Sequence, residues 1–244
     1  FTRTVGGREW LRKFFSEPHD DLKKIRGTQR VIRTFMEHVK DWPTDISNGT
    51  ILVMDKFLDY TLDTISEAPA SLNNLTYKWL HSEDYSMLKY SVTHFADFYR
   101  GLKNIAELLE GVDLPPAIQL YIDRINGILR EEPLEKLSVS EKGKKFSTRQ
   151  NLYFGYHLRG RYKNNTLELM DIYSRLDAWY SMAVAVKTYG LSFPEFVEQY
   201  TPLVDAKVLY HILLPKQVAY DMQMNTKHNF LFLTGIYMAG MSTI

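Results

Sequence analysis

Between residues 88 and 109 the sequence sets Leu88, Val92, Phe95, Tyr99, Leu102, Ala106 and Leu109 at alternating steps of four and three. A strand, whose side chains alternate with period two, cannot gather these positions on one face. A helix gathers all of them into an a/d seam. The spacing predicts a long helix over 84–110, stopped by Gly111 and packed along a partner at a shallow angle. The same rhythm returns at Leu169, Tyr173, Leu176, Tyr180 and Ala183, inside a helical pattern that runs over 148–189 and stops at Gly190. Gly155 and Gly160 weaken its first third.

Other helices are marked by their ends. One amphipathic segment covers 8–15 and closes at Pro18. Asp20 and Asp21 supply an N-cap and a first-turn acid for a helix over 22–39, which Trp42-Pro43 ends. Further helices are expected over 50–66, before Ala68-Pro69, and over 117–130, between Pro115-Pro116 and Pro133. The polar stretch 135–145 reads as a loop, and Phe193-Pro194-Glu195 as the start of one or two more helical turns. After Thr201-Pro202 the character changes. Residues 229–234 form a short apolar run followed at once by Gly235, the pattern of a buried strand entering a loop. The expected fold is therefore mainly α: an elongated helical domain of long packed helices over 1–201. The first strands of an α/β P-loop domain follow over 202–244.

Composition closes off several function classes. The absence of Cys excludes a disulfide scaffold, a thiolate nucleophile and Cys-ligated zinc or iron–sulfur sites, and fits a reducing, cytoplasmic setting. The formal net charge of +1 gives no whole-molecule case for nucleic acid or anionic membrane. The longest stretch free of charged, His, Asn and Gln residues, 230–244, is too short to span a bilayer. The seven His residues show neither H-x-x-x-H nor E-x-x-H spacing, which argues against a His-held metal, and no G-x-S-x-G element occurs. With Phe1 first and a motif at the other end, the sequence reads as a piece of a longer protein.

Three local features carry chemistry. Residues 234–243, read as G-x-x-x-x-G-K-[ST], match at Gly235, Gly240 and Ser242 and depart at Met241, where a phosphate-binding loop has Lys. Glycines let backbone N–H groups turn in around phosphates, the Lys ammonium neutralises them, and the Ser hydroxyl holds Mg²⁺. With Met241 the loop can keep its shape but has no fixed positive charge. Basic residues also cluster. Lys142, Lys144, Lys145, Arg149, Arg159, Arg161 and Lys163 face one acid, Glu141, with Tyr153, Phe154, Tyr156 and Tyr162 between them. Residues 1–33 carry nine bases against four acids. Such mixtures can contact phosphates and bases, although a solvated helix face is the commoner reading. Asp177, beside an apolar stripe, reads as a structural carboxylate bonded to an Arg or a backbone amide before it reads as a general base.

Taken in order, these segments resemble the MutS mismatch-repair ATPases. Gly7-Arg8-Glu9-Trp10-Leu11-Arg12, with Pro18 after it, resembles the opening of that family's helical core. Ile25-Arg26-Gly27-Thr28-Gln29 resembles its I-x-x-R-Q stretch, with Thr28 in place of Arg. Leu176-Asp177-Ala178-Trp179-Tyr180-Ser181-Met182-Ala183 resembles its L-D-x-x-x-S-x-A helix, with Phe193-Pro194-Glu195-Phe196 at the matching distance. Leu209-Tyr210-His211 resembles the R-H-P turn, Val218-Ala219-Tyr220-Asp221 resembles V-x-N-D, and 234–243 resembles T-G-P-N-M-A-G-K-S-T.

The departures are Ile212 for Pro, Tyr220 for Asn, Ile236-Tyr237 for Pro-Asn and Met241 for Lys, all where nucleotide would bind. Residues 138–150 leave no room for the family's DNA-gripping clamp, and no counterpart of its mismatch-reading domain is expected within 1–244. The resemblance implies a helical core and lever joined to the start of an ATPase domain. In the family that unit couples nucleotide state to DNA binding in a homodimer that uses ATP and Mg²⁺. By resemblance Gly235, Met238, Ala239, Gly240, Met241, Ser242, Thr243 and Tyr220 would face nucleotide, with Ser242 on the metal. DNA, where contacted, is expected at the 142–163 cluster. The piece is expected to be catalytically inactive and to carry no bound cofactor of its own. The competing expectation is a helical scaffold that binds neither nucleotide nor DNA.

Overall fold

Short polar side chains fix where the first three helices begin. Thr4, Asp21 and Ser47 are extended residues whose side-chain oxygens accept backbone N–H groups of α1 (Val5–Ser16), α2 (Leu22–Glu37) and α3 (Asn48–Asp59). The computed structural model describes residues 1–60, 79–212 and 218–230. The long helix α4 (Ser82–Leu108) starts on Glu83 and Asp84, acids placed at its positive end, and the chain leaves it through Gly111 at φ 74°, a conformation that favours glycine. Pro116 occupies the first turn of α5 (Pro116–Leu129) and Pro133 that of α6 (Glu132–Ser138). Ser147 and Gln150 form a reciprocal capping box at α7 (Thr148–Arg159). Last comes α8 (Lys163–Tyr189), followed by Gly190 at φ 63°.

All seven residues of the predicted seam are buried, as are all five of the second. The partner differs from expectation. Phe98 and Ile105 of α4, which lie off the seam, are buried too. Helices α3, α5, α6 and α7 all pack against α4. From α8, Thr166 Oγ1 lies 2.6 Å from the Tyr99 hydroxyl, and the Tyr173 ring meets Phe98 edge-on at 6.1 Å. α4 is thus an enclosed central helix rather than one half of a two-helix seam, because its apolar arc is wider than an a/d stripe.

Three other expectations are corrected. The expected loop over 135–145 begins inside α6, where Pro133 opens a helix instead of closing one. The pattern over 148–189 is two helices, parted at Gly160, Arg161 and Tyr162. No helix forms at Phe193-Pro194-Glu195. The second half of the helix expected over 50–66 lies outside the described residues.

Two compact units divide the chain, 1–188 and 189–244. Every buried apolar residue among those described falls between Val31 and Ala183, in the first unit. In the second, β1 (Val204–Leu209) pairs antiparallel with β2 (Tyr220–Met224), Val204 opposite Met224 and Leu209 opposite Tyr220. A register shift between Ala206 and Leu209 puts Val208 at φ 56°, a strained value for a β-branched residue. The Asp221 carboxylate accepts the Val208 N–H at 2.8 Å there. Of the apolar run 229–234, Asn229 and Phe230 lie outside regular structure, and the rest falls outside the described residues. Among the described residues no helix is long and apolar enough to cross a membrane.

Candidate functional site

Asp177 on α8 is a heavily constrained polar group, buried to 1% exposure. Its carboxylate accepts the Arg3 N–H (3.0 and 3.1 Å to its two oxygens), the Thr4 N–H (2.9 Å) and the Thr4 hydroxyl (2.7 Å). The Thr4 Oγ1 in turn accepts the Gly7 N–H at 3.0 Å, capping α1. One carboxylate therefore ties down the strand-like entry to α1 and the cap itself. A buried charge is tolerable only when its lone pairs are filled in this way. Those three donors, converging on a carboxylate that is almost fully buried, make Asp177 a structural joint between α8 and the entry to α1.

Close backbone approach completes the joint. A Cβ on Gly7 would stand 2.1 Å from Asp177 Oδ2, and one on Gly6 would stand 2.4 Å from Ser174 Oγ. Farther along α1, Phe14 stacks on Trp179 at 4.4 Å. The Trp10 indole N–H donates to Asp171 at 2.8 Å, while the Arg175 guanidinium lies 4.0 Å from the Trp10 ring centroid. Arg175 also binds Asp171 at 2.9 Å and donates to the Tyr121 hydroxyl at 3.0 Å. Gly6, Glu9, Trp10, Lys13, Asp171 and Ser174 line a shallow cleft of about 290 Å³ beside it. On the inner side, the Tyr173 hydroxyl donates to the Ile46 carbonyl at 3.3 Å. Burial, and after it the nearby Asp177 charge, push that phenol up from its ordinary range.

The seven expected DNA contacts separate into two groups. Lys163 donates to the Leu58 carbonyl at 2.9 Å and Arg159 to the Tyr60 carbonyl, so both satisfy the end of α3, where cations suit the helix dipole. Arg161 pairs with Glu131 at 3.3 Å. Lys142 lies 3.6 Å from Asp45. Lys144, Lys145 and Arg149 are exposed and take no carboxylate partner among the described residues. The expected nucleotide contacts Gly235, Met238, Ala239, Gly240, Met241, Ser242 and Thr243, with Ser242 as metal ligand, lie outside the described residues. Tyr220 opens β2 at 38% exposure. Among the described residues no group of three or more His, Asp or Glu side chains is placed to hold a metal.

No family model, curated protein or solved structure matches this chain. Any functional reading therefore rests on the chain's own residues and their geometry.

Sequence reasoning singled out Asp177 and Gly7 separately but missed that they meet, and it missed Thr4 and the Trp10–Arg175 contact. Thr4 was legible as an N-cap three residues before Gly7. Its second role depends on a partner 173 residues away, which no local pattern reveals.

Proposed function

We propose that this chain is the helical core and lever of a MutS-like ATPase, joined to the beginning of the ATPase domain. In that role it transmits nucleotide state toward a DNA-holding end of a dimer. The observation that supports this is the joint itself. The resemblance rests on a Gly-Arg stretch near residue 7 and a Leu-Asp helix near residue 177. Those two stretches interlock, with Gly7 bare against Asp177 and the Thr4 cap on its carboxylate. A rigid coupling of the first helix to α8 is also what a transmitter needs.

ATP and Mg²⁺ belong to the 235–243 loop in this reading. The loop lacks the ammonium that would neutralise phosphate, so the chain as it stands does not hydrolyse ATP. Calorimetric titration of ATP with Mg²⁺ into the parent chain and into Met241→Lys tests it. The reading expects binding heat from Met241→Lys and far weaker binding from the parent. Absence of binding to both would sink it. A second reading, a helical scaffold without nucleotide or DNA, is favoured by the way Arg159, Arg161 and Lys163 are occupied within the fold. It expects no heat from either protein.

A further inference from the structure

A second exposed cationic surface of the helical unit lies outside the 142–163 cluster, on α1 and the start of α2. On α1, Arg8, Arg12 and Phe15 fall within about 60° of one another at 3.6 residues per turn. All three point away from the side that meets α8, where Gly7 and Phe14 are engaged. Phe15 is 74% exposed, and both arginines are exposed without an ion-pair partner among the described residues. Glu9 lies off this stripe. After a short link α2 opens with Lys23, Lys24 and Arg26, likewise exposed and without an ion-pair partner among the described residues. The link carries three exposed acids, Glu17, Asp20 and Asp21, of which Asp21 accepts the N–H groups of Lys23 and Lys24 as their cap. Two lysines in a first turn add positive charge to the positive end of a helix, the reverse of what favours the fold. Residues 1–33 as a whole carry a net charge of +5.

We infer that the outer face of α1 and the first turns of α2 bind a single-stranded nucleic-acid segment. Arg8, Arg12, Lys23, Lys24 and Arg26 meet its phosphates, and Phe15 stacks on a base. The choice of partner follows from the mixture. Lysines alone would suit any polyanion, acidic protein included. An exposed phenyl ring beside these guanidinium groups adds a stacking platform, which suits unstacked bases and is indifferent to their identity. A duplex keeps its bases stacked and offers that ring nothing. The inference does not depend on the lever reading, since it uses no residue of the 235–243 loop or of the joint.

The test is fluorescence anisotropy of a labelled oligothymidylate of about 20 nucleotides, titrated with the full chain over a range of salt. The parent should bind with a log–log salt slope of roughly −0.7 per phosphate contacted. Arg8→Glu with Arg12→Glu should weaken binding about tenfold or more and flatten that slope. Phe15→Ala should weaken it roughly fivefold to tenfold with the slope unchanged, the mark of lost stacking rather than lost charge. Circular dichroism melts of both variants should match the parent, because all three side chains are on the surface. No binding by the parent at low salt would overturn the inference. So would parent-like binding by both variants, or equal affinity for heparin with Phe15→Ala silent. Loss only in Lys144→Glu with Lys145→Glu and Arg149→Glu would return the contact to the 142–163 cluster.

Discussion

Gly7 and Asp177 make a pair whose substitution costs can be set out in advance. Ala is the better helix former by about 1 kcal/mol, so a helix-propensity argument alone has Gly7→Ala stabilising α1. The Cβ would land 2.1 Å from Asp177 Oδ2, which has to move and break its bonds to Arg3 and Thr4. The expected outcome is a loss of about 2–4 kcal/mol in denaturant unfolding, the range for disturbing a buried hydrogen-bonded charge. Asp177→Asn keeps the shape but sets an amide N–H₂ against donors, and should cost about 1–3 kcal/mol. In the double variant the two losses should fall well short of adding, since both act through one joint. Full additivity would mean that the contact does not hold α1 in place. Reading Asp177 as structural was possible from its place beside an apolar stripe. The identity of its donors was not, because they come from the other end of the chain.

Helices show where sequence patterns speak and where they stop. The α4 seam was legible because seven apolar residues at fixed spacing leave one geometric solution, and all seven are buried. What that pattern cannot state is how many neighbours share the helix, so enclosure by α3, α5, α6 and α7 had to come from the structure. The short helix α6 escaped because proline both ends and begins helices, and seven residues hold too few periods to decide. The break between α7 and α8 escaped because apolar spacing continues across it. Two glycines inside helices test the packing. Gly27 on α2 has open space where a Cβ would stand, so Gly27→Ala should stabilise by about 0.5–1 kcal/mol. Gly101 on α4 faces Ile46, whose Cγ1 would lie 2.5 Å from a new Cβ, and Gly101→Ala should cost about 1–3 kcal/mol. Urea melts that shift in the same direction for both would contradict the described packing around α4.

Across the whole molecule, the described core belongs to one unit and the described strands to the other. The sequence changes character after residue 201, whereas the division into two compact units falls at 188/189, and β1 starts at Val204. The antiparallel pairing and the bulge at Val208 were not legible, since register there depends on Asp221 and not on an apolar alternation. A transmitter has to make the helical unit respond to what the strand-bearing unit binds. Hydrogen exchange followed by mass spectrometry on Met241→Lys, with and without ATP and Mg²⁺, reads that response directly. The lever reading predicts altered protection in 189–244 together with a change in α8 and in α1, the two elements joined at Asp177. Protection that changes only within 189–244, leaving α8 and α1 as they were, would contradict the claim that this chain is a lever.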